Sequence, residues 1–205
     1  IKLVLQGGIP KLVLMAEFAA DTDEEARQMA VAAEKTIQSF GLATHITATQ
    51  SEANKFWTIR RESFKLLREN VSDKHTAPFI DDFVVRPEYL PEFLPRLYAI
   101  LDEYNLLYTV AGHVGDGNFH IIPLMDFTRP DFVKIVNELS DRVYTLVGEY
   151  HGSITGEHND GLIRTPYLYK MFNPEILNVF QEIKEIFDPH RIFNPHKKVD
   201  PKIEY

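Results

Sequence analysis

The sequence predicts an α+β fold with helices packed on one face of an antiparallel sheet. Helical and strand-like segments alternate along the 205 residues, an order that fits ferredoxin-like repeats. Two of the predicted strands are joined by a tight glycine turn, and strands joined in this way are antiparallel. A chain of this length buries about 70% of its unfolded surface in one core. We therefore expect residues 1–205 to form one domain.

The first predicted strand and helix lie before Gly41. Residues 11–18 (KLVLMAEF) form a short apolar run after a glycine and proline turn, which is typical of a buried strand. Thr22 and Glu25 have the spacing of a capping box, in which each side chain binds the other residue's main chain. Apolar residues then follow at helical spacing until Gly41, and glycine commonly ends helices. A helix is therefore predicted between Thr22 and Gly41.

The next segment predicts a strand, a helix and a further strand. Residues 42–49 alternate and are rich in Thr and Ile, as strands are. Ser51 is expected to cap a helix that carries Trp57 among its apolar residues. Residues 73–78 predict a loop, and residues 79–85 (FIDDFVV) predict a strand.

The middle of the chain predicts two helices around a hairpin. Residues 90–104 predict a helix with two prolines near its start. Residues 106–114 and 118–124 predict two strands on either side of a glycine turn. Residues 128–150 predict a long amphipathic helix, because their apolar residues recur at helical spacing.

The last part of the chain predicts one short strand and one helix. Gly152 is expected to end the long helix, and residues 153–155 predict the strand. Residues 156–169 are polar and glycine-rich, so we expect irregular structure there. Asn173 is followed by a proline, which predicts the start of a helix over residues 174–187.

Composition excludes several classes of function. The chain has 22 basic and 30 acidic residues, and a net charge of −8 argues against duplex nucleic acid as a partner. It has no cysteine, so a metal in this segment must bind His, Asp or Glu. No apolar run reaches the roughly 18 to 20 residues of a membrane-spanning helix. Neither a nucleotide-binding glycine loop nor a serine nucleophile elbow occurs.

The segment at residues 112–120 (GHVGDGNFH) carries the first candidate site. If Asp116 and Gly117 are the two loop residues of a hairpin, His113 lies opposite His120 on the same face. Opposed Cβ atoms are about 4.5 to 5.5 Å apart, a separation at which two imidazoles can bind one cation. The alternative is two ordinary polar residues on a solvated sheet face.

A second cluster lies in residues 152–164 (GSITGEHNDGLIR). Glu157 and His158 are neighbours there, and neighbours in an extended chain point in opposite directions. One of them could complete a site of two histidines and a carboxylate, while the other transfers a proton to or from substrate. The alternative is a polar surface turn capped by Asn159 and Asp160.

Two further segments contain candidate binding residues. Trp57 and Arg60 are three residues apart on a predicted helix, and an Arg beside an aromatic ring suits a carboxylate ligand. A surface Arg lying over a buried Trp is the alternative. Residues 194–198 (NPHKK) could be a solvated tail.

These motifs resemble those of a known family. GHVGDGNFH, the later GEH, and IFNP followed by two lysines resemble the C-terminal domain of FAD-linked oxidases. That group contains D-lactate dehydrogenases, the glycolate oxidase flavin subunit and D-2-hydroxyglutarate dehydrogenase. The longer form ITGEHNDGLIRTPYL, with APFIDD before it, is similar to bacterial members that carry an iron–sulfur module. The resemblance runs from about Trp57 to Val199.

The resemblance implies a cap domain that binds substrate over a flavin. In such proteins FAD lies mainly on a preceding domain. The chain begins with Ile1 rather than Met, so we expect a fragment of a longer flavoprotein that is inactive alone. The implied activity is oxidation of a D-2-hydroxy acid, of the lactate, glycolate or 2-hydroxyglutarate type, by hydride transfer to flavin. We expect a cytoplasmic protein, with peripheral attachment at the inner membrane in the full protein as the alternative.

The resemblance also implies a metal site and a base. His113, His120 and Glu157 would hold a divalent metal, and zinc, manganese and iron all suit this donor set. His158 would be the catalytic base that takes the hydroxyl proton of the substrate.

The remaining implied roles are in binding. Arg60 would bind the carboxylate of the substrate, and Asn194, Lys197 and Lys198 would approach the flavin. Two other classes of function stay open on the residues alone. One is a free-standing His/Glu metal-dependent hydrolase, and the other is a ferredoxin-like interaction module without catalysis.

Overall fold

The computed structural model describes residues 12–70 and 73–202, and the chain divides into two units between Lys65 and Leu66. The helices are α1 (Asp23–Gln38), α2 (Gln50–Asn70), α3 (Leu90–Glu103), α4 (Phe132–Glu149), α5 (Gly161–Arg164) and α6 (Pro174–Phe187). The strands are β1 (His75–Thr76), β2 (Ile80–Val84), β3 (Leu107–His113) and β4 (Asn118–Met125). Short 3-10 turns occupy Pro87–Tyr89, Val114–Asp116 and Thr165–Lys170. No helix within the described residues is long and apolar enough to cross a membrane.

The capping box predicted for the first helix is confirmed. Thr22 Oγ1 accepts a hydrogen bond from the main-chain N–H of Glu25 at 3.2 Å, and the Glu25 carboxylate accepts one from Thr22 N–H at 3.2 Å. These bonds satisfy two main-chain donors that a helix start leaves free. Gly41 lies beyond the end of α1 with φ +71°, a conformation that glycine adopts without steric cost.

The two strands predicted in the N-terminal unit are wrong. The described part of the first segment, residues 12–18, and the whole of residues 42–49 contain no strand; Lys11 lies outside the described residues. Leu12 and Leu14 are exposed. An apolar or alternating run forms a strand only where a neighbouring strand completes its hydrogen bonds, and these segments show none among the described residues.

The predicted cap of α2 is also wrong by two residues. The helix begins at Gln50, and Thr49 Oγ1 accepts a hydrogen bond from Glu52 N–H at 3.2 Å. Ser51 lies inside the first turn. Thr49 therefore caps this helix, because threonine and serine are both good caps and the hydrogen bond to the third following residue decides between them.

The C-terminal unit contains the antiparallel sheet, which confirms the predicted α+β class. The central strand is β4, which pairs with β3 along one edge. Along its other edge, β2 pairs with the first half of β4 and β1 pairs with its end. Beyond β2, Val84 forms an isolated antiparallel bridge with Ser153. The strand predicted at residues 153–155 is therefore wrong in extent, since Ser153 alone is paired there. With the bridge at Ser153 counted as the last strand position, β2, α3, β3, β4 and α4 follow the βαββαβ order of a ferredoxin-like repeat.

The helices α3 and α4 pack on one face of this sheet. Phe119, Ile121 and Met125 of β4 belong to the core cluster that also contains Leu97 of α3 and Leu139 of α4. Each such buried side chain stabilises the fold by about 1.5 to 3 kcal/mol. Alternate residues of a strand point to opposite faces, so the intervening residues of β4 lie on the face away from these helices.

The hairpin histidines lie on this second face, although the predicted pairing is wrong by two residues. His113 pairs with Asn118, and Ala111 pairs with His120. The loop has four residues rather than two, because Val114–Asp116 form a 3-10 turn closed by Gly117. Since a strand repeats every two residues, a shift of two leaves both imidazoles on the predicted face.

Smaller differences occur around the sheet. The predicted loop at residues 73–78 contains β1, whose two residues pair with Leu124 and Met125. Helix α4 begins at Phe132 rather than at residue 128, because the Asp126 side chain accepts hydrogen bonds from Thr128 N–H at 2.8 Å and Oγ1 at 2.7 Å and forms a turn there.

The segment predicted to be irregular before the last helix contains α5 and a 3-10 turn. The last helix, α6, is confirmed: Asn173 Oδ1 accepts a hydrogen bond from Ile176 N–H at 2.9 Å, which caps it.

Candidate metal and substrate site

His120 is the most buried of the predicted site residues. Its Nδ1 lies 2.9 Å from Asp81 Oδ1 and its Nε2 lies 3.0 Å from Glu157 Oε1. The hydrogen bond with Asp81 raises the pKa of His120, against the lowering effect of burial, and the negative charges of Asp81, Asp82 and Glu157 raise it further. The site therefore favours positive charge at this position.

The structure brings the three predicted metal ligands together. Glu157 Oε1 lies 3.3 Å from His113 Nε2 as well as 3.0 Å from His120 Nε2. The two imidazole rings are 5.9 Å apart between centroids and nearly perpendicular. One donor atom from each residue lies within 4.8 Å of the others. Two imidazoles and a carboxylate are donor types that catalytic sites with three protein ligands use to hold zinc.

His158 lies beside this cluster. Its ring stacks on that of His120, with 4.9 Å between centroids and 11° between planes. Its Nδ1 lies 3.3 Å from Asp81 Oδ2 and its Nε2 lies 3.6 Å from Glu157 Oε1. The His158 side chain is 51% exposed, against 10% for His120, so solvent and small molecules reach it.

The loop that carries Glu157 and His158 is fixed by Asp82. This carboxylate, fully buried, accepts main-chain hydrogen bonds from Gly156 at 3.0 Å, Glu157 at 3.0 Å and His158 at 2.9 Å, and one from the Asn118 amide at 3.1 Å. Burial raises the pKa of Asp82, but these donors lower it by more, so that the net pKa lies below the ordinary value.

Asp82 reaches the loop because the strand bulges there. The pairing of β2 with β4 shifts between Ile80 and Phe83, and Asp82 has φ +66°. A bulge changes the direction of a strand locally and redirects its side chains. Asp81 and Asp82 thus both serve the site, Asp81 through the imidazoles and Asp82 through the loop.

Arg164 lies buried beneath these residues. Its guanidinium donates hydrogen bonds to the main-chain oxygen of Asp81 at 2.9 Å and to that of Asn159, and it lies 3.8 Å from Asp82 Oδ2. It therefore ties the bulge of β2 to the segment after His158.

Sequence reasoning missed Asp81, Asp82 and Arg164 as site residues. A signal was present for the first two, because two adjacent carboxylates inside the apolar strand FIDDFVV are costly to bury without a role. Arg164 gave no signal, since nothing in the sequence shows that an Arg after a polar stretch is buried.

The described residues offer two overlapping donor sets for a cation. The first is His113, His120 and Glu157, and the second is Asp81, His120 and His158. If His120 donates its Nδ1–H to Asp81, a neutral ring directs the Nε2 lone pair at Glu157 Oε1, 3.0 Å away. Two acceptors at this distance repel each other unless a proton or a cation lies between them. The residues therefore fit a cation in the first set.

The predicted binding residues lie elsewhere in the chain. Arg60 is exposed on α2 in the N-terminal unit, with its guanidinium carbon 5.9 Å from the centre of the Trp57 ring. Its role in binding substrate stays a prediction.

The predicted flavin-approach residues lie in the C-terminal tail. Lys198 forms an ion pair with buried Asp160, and its main-chain N–H donates to Thr165 Oγ1 at 2.8 Å. Lys197 is exposed and donates to Asn194 Oδ1 at 3.2 Å.

The alternative of a polar surface turn capped by Asn159 and Asp160 is contradicted, because Asp160 is buried.

Fold and site together define an α+β domain with a histidine and carboxylate cluster on the face of its sheet away from α3 and α4. Residues 10–198 match the family described as FAD linked oxidases, C-terminal domain. The chain belongs to this family, as the motifs predicted.

Relatives with known names agree with the family. A D-2-hydroxyglutarate dehydrogenase of Haemophilus influenzae is 34% identical over 147 residues, which cover 72% of this chain and 14% of that protein. One of Pseudomonas putida is 32% identical over 191 residues, which cover 91% of this chain and 19% of that protein. Glycolate oxidase subunit GlcD of Escherichia coli is 29% identical, covering 77% of this chain and 31% of that protein. The chain thus spans less than a third of each of these relatives.

Proposed function

We propose that this chain is the substrate- and metal-binding domain of an FAD-dependent oxidoreductase that oxidises a D-2-hydroxy acid. Lactate, glycolate and 2-hydroxyglutarate are the substrate types that the names of relatives suggest. The observation that carries the proposal is the convergence of His113, His120 and Glu157 beside the exposed imidazole of His158.

In this proposal the first donor set holds a divalent metal. When bound, zinc, manganese or iron supplies a Lewis acid for the α-hydroxy carboxylate, and FAD supplies a two-electron acceptor. The second donor set is less suited to catalysis, because two of its three side chains, those of Asp81 and His120, are only 10% exposed, whereas in the first set His120 alone is buried. His113 and Glu157 are 46% and 49% exposed, so a group held by them is open to substrate.

His158 is the proposed catalytic base. A carboxylate only accepts hydrogen bonds, so a neutral His158 beside Asp81 carries its proton on Nδ1. Its Nε2 is then free to take the substrate's hydroxyl proton. Hydrogen-bonding pairs of this kind, a base and the group that orients it, recur in general-base catalysis.

The other roles rest on the family resemblance. Arg60 binds the substrate carboxylate through two donors of its guanidinium, and its exposure allows this. Asn194, Lys197 and Lys198 approach the flavin. The proposed partners are a flavin-binding domain and an iron–sulfur module of the kind that similar bacterial members of the family carry. A cytoplasmic location stays a prediction.

Metal titration of the chain tests the site directly. We expect about one equivalent of zinc or manganese per chain, lost on chelation and lost in the double variant His113→Ala with His120→Ala. His190→Ala, which removes an exposed histidine of the tail, is the matched control and should bind as the native chain does. A native chain that takes up neither metal, or a double variant that binds as tightly, would overturn the proposal.

A single substitution separates the two donor sets. Glu157→Gln weakens a metal held by the first set and leaves one held by the second set in place, since Gln lacks the negative charge but keeps the size of Glu. Unchanged affinity in Glu157→Gln would therefore move the metal to Asp81, His120 and His158.

Turnover tests the reaction. In the flavoprotein that contains this chain, His158→Gln should lower kcat for a D-2-hydroxy acid by about 100- to 10,000-fold while metal content stays at one equivalent. Metal-dependent hydrolysis by the chain without flavin would instead favour a hydrolase, and folding without metal or hydroxy acid binding would favour an interaction module.

A further inference from the structure

Asp81 contacts two imidazoles at once. Its Oδ1 lies 2.9 Å from His120 Nδ1, and its Oδ2 lies 3.3 Å from His158 Nδ1. The side chain is 10% exposed. Its position is fixed from behind, because Arg164 donates a hydrogen bond to the Asp81 main-chain oxygen at 2.9 Å.

This geometry determines where each neutral imidazole carries its proton. An ionised carboxylate has no donor, and the Asp81 side chain is only 10% exposed, so its two oxygens depend on the Nδ1–H groups beside them as donors. The single proton of a neutral ring then lies on Nδ1, and Nε2 keeps its lone pair. Both Nε2 atoms face the second carboxylate, that of Glu157, at 3.0 Å for His120 and 3.6 Å for His158. Glu157 is 49% exposed, so water can satisfy its oxygens, whereas the buried Asp81 has no such access to solvent.

We propose that Asp81 is a positioning residue that imposes the same tautomer on His120 and His158. His120 thereby offers Nε2 as a ligand, and His158 offers Nε2 as a base. The inference rests on the proposed function for these two roles, but the tautomers themselves follow from the burial of Asp81 and the exposure of Glu157. Carboxylates that orient metal-binding histidines in this way increase metal affinity by about 10- to 100-fold.

Asparagine at position 81 is the informative substitution because it has the shape of aspartate. It offers one oxygen and one NH2 group where aspartate offers two oxygens. Only one imidazole can keep its Nδ1–H donor against the oxygen. The other faces the NH2 group, accepts through Nδ1 and carries its proton on Nε2, where it can neither bind a metal nor take a proton.

The first experiment is nitrogen-15 NMR of the metal-free chain at alkaline pH, where both imidazoles are neutral. We expect His120 and His158 both to carry the proton on Nδ1, with the exposed Glu157 carboxylate turned from the Nε2 atoms towards solvent. A proton on Nε2 of either ring would overturn the inference, whatever the affinity for metal. This measurement needs no variant, so a folding defect cannot obscure it.

The second experiment compares Asp81→Asn with the native protein in two assays. Zinc binding is measured on the chain, and turnover is measured in the flavoprotein that contains it. We expect Asp81→Asn to lose zinc affinity by about 10- to 100-fold, or to keep zinc and lose kcat with KM little changed, according to which imidazole turns. Glu138→Gln on the exposed face of α4 removes the same charge far from any imidazole contact and should change neither. Native zinc affinity together with native kcat in Asp81→Asn would overturn the inference.

The outcomes separate this inference from the proposed function. A native chain with both protons on Nδ1 that binds no zinc contradicts the proposed function and leaves the orienting role standing. A chain that binds zinc through His120 Nδ1 rather than Nε2, seen from the nitrogen-15 shifts, contradicts the orienting role and leaves a metal site.

Discussion

The carboxylate of Asp82 holds the main chain of His158, a residue 76 positions later in the sequence. The His158 N–H donates to Asp82 Oδ2 at 2.9 Å, inside a pocket that leaves Asp82 fully buried. Gly156 and Glu157 donate to the same carboxylate. The bulge of β2 therefore fixes the loop that carries two candidate functional residues.

Replacing this acceptor should destabilise the fold. Asp82→Asn keeps the shape but turns one oxygen into a donor that faces main-chain N–H groups, and each unsatisfied buried donor costs about 1 to 3 kcal/mol. We expect the free energy of unfolding to fall by roughly 2 to 4 kcal/mol in urea denaturation. Glu138→Gln serves as the charge-matched control. A change below about 0.5 kcal/mol would show that the loop does not depend on Asp82.

The hairpin turn offers a matched pair of glycines. Gly117 has φ +69°, and a Cβ there would overlap the carbonyl oxygen of Val85, whereas a Cβ at Gly115 meets nothing within 4 Å. We expect Gly117→Ala to lower the free energy of unfolding by at least about 2 kcal/mol, and Gly115→Ala to change it by less than about 1 kcal/mol. Thermal unfolding of the two variants side by side measures this. Equal melting temperatures would contradict the turn geometry.

Acid should weaken the C-terminal tail through Asp188. Burial raises the pKa of Asp188, but hydrogen bonds from Lys184 and from the main chain of Phe193 and Ile192 lower it by more, to below its ordinary value of 3.8. A group with a lowered folded-state pKa stabilises fully above its unfolded pKa, and this stabilisation is lost as the pH falls through the folded pKa. We expect Asp188→Asn to unfold more easily than the native chain near neutral pH.

The same experiment at low pH completes this test. As the pH falls through the folded-state pKa of Asp188, the native carboxyl becomes protonated, so the native chain and Asp188→Asn should come to unfold at similar urea concentrations. A difference that persists unchanged at low pH would show that the Asn variant acts through packing rather than charge.

The cap of α6 gives a smaller effect. Asn173 Oδ1 accepts a hydrogen bond from Ile176 N–H, and loss of such a cap costs about 1 kcal/mol. Asn173→Ala should lower the free energy of unfolding by this amount, while Asn173→Asp, which keeps the acceptor, should not. Circular dichroism of the helices during urea unfolding measures this. Equal free energies of unfolding in the two variants would show that the cap does not stabilise the fold.

The elements that sequence predicted well are those with local chemistry. Thr22 with Glu25 defined the start of α1, and Asn173 defined that of α6, because a cap bonds to residues three positions away. The runs at residues 11–18 and 42–49 failed because a strand needs a partner distant in sequence, which periodicity does not reveal.

The candidate site shows the same division. Two motifs, at residues 112–120 and 152–164, predicted the site residues His113, His120, Glu157 and His158. An error of two residues in the predicted hairpin register did not change the face on which both imidazoles lie. Asp81 was not predicted, because its contacts with His120 and His158 span 39 and 77 residues. Such contacts depend on the bulge of β2, for which the sequence offers no glycine or proline as a marker.

Asp82 binds the loop at residues 156–158 through main-chain N–H groups, so the conformation of the loop does not depend on the side chains that it carries. The N–H groups at positions 157 and 158 are present with any residue except proline, so the side chains there can change without loosening the loop. Position 156 is the exception, because a Cβ on Gly156 would press against Asn118 Nδ2 and Asp82 Oδ1. The main chain of this segment is thus fixed independently of the side chains at positions 157 and 158. Those two positions can be varied to select a different cation or a different catalytic base, provided that position 156 stays glycine.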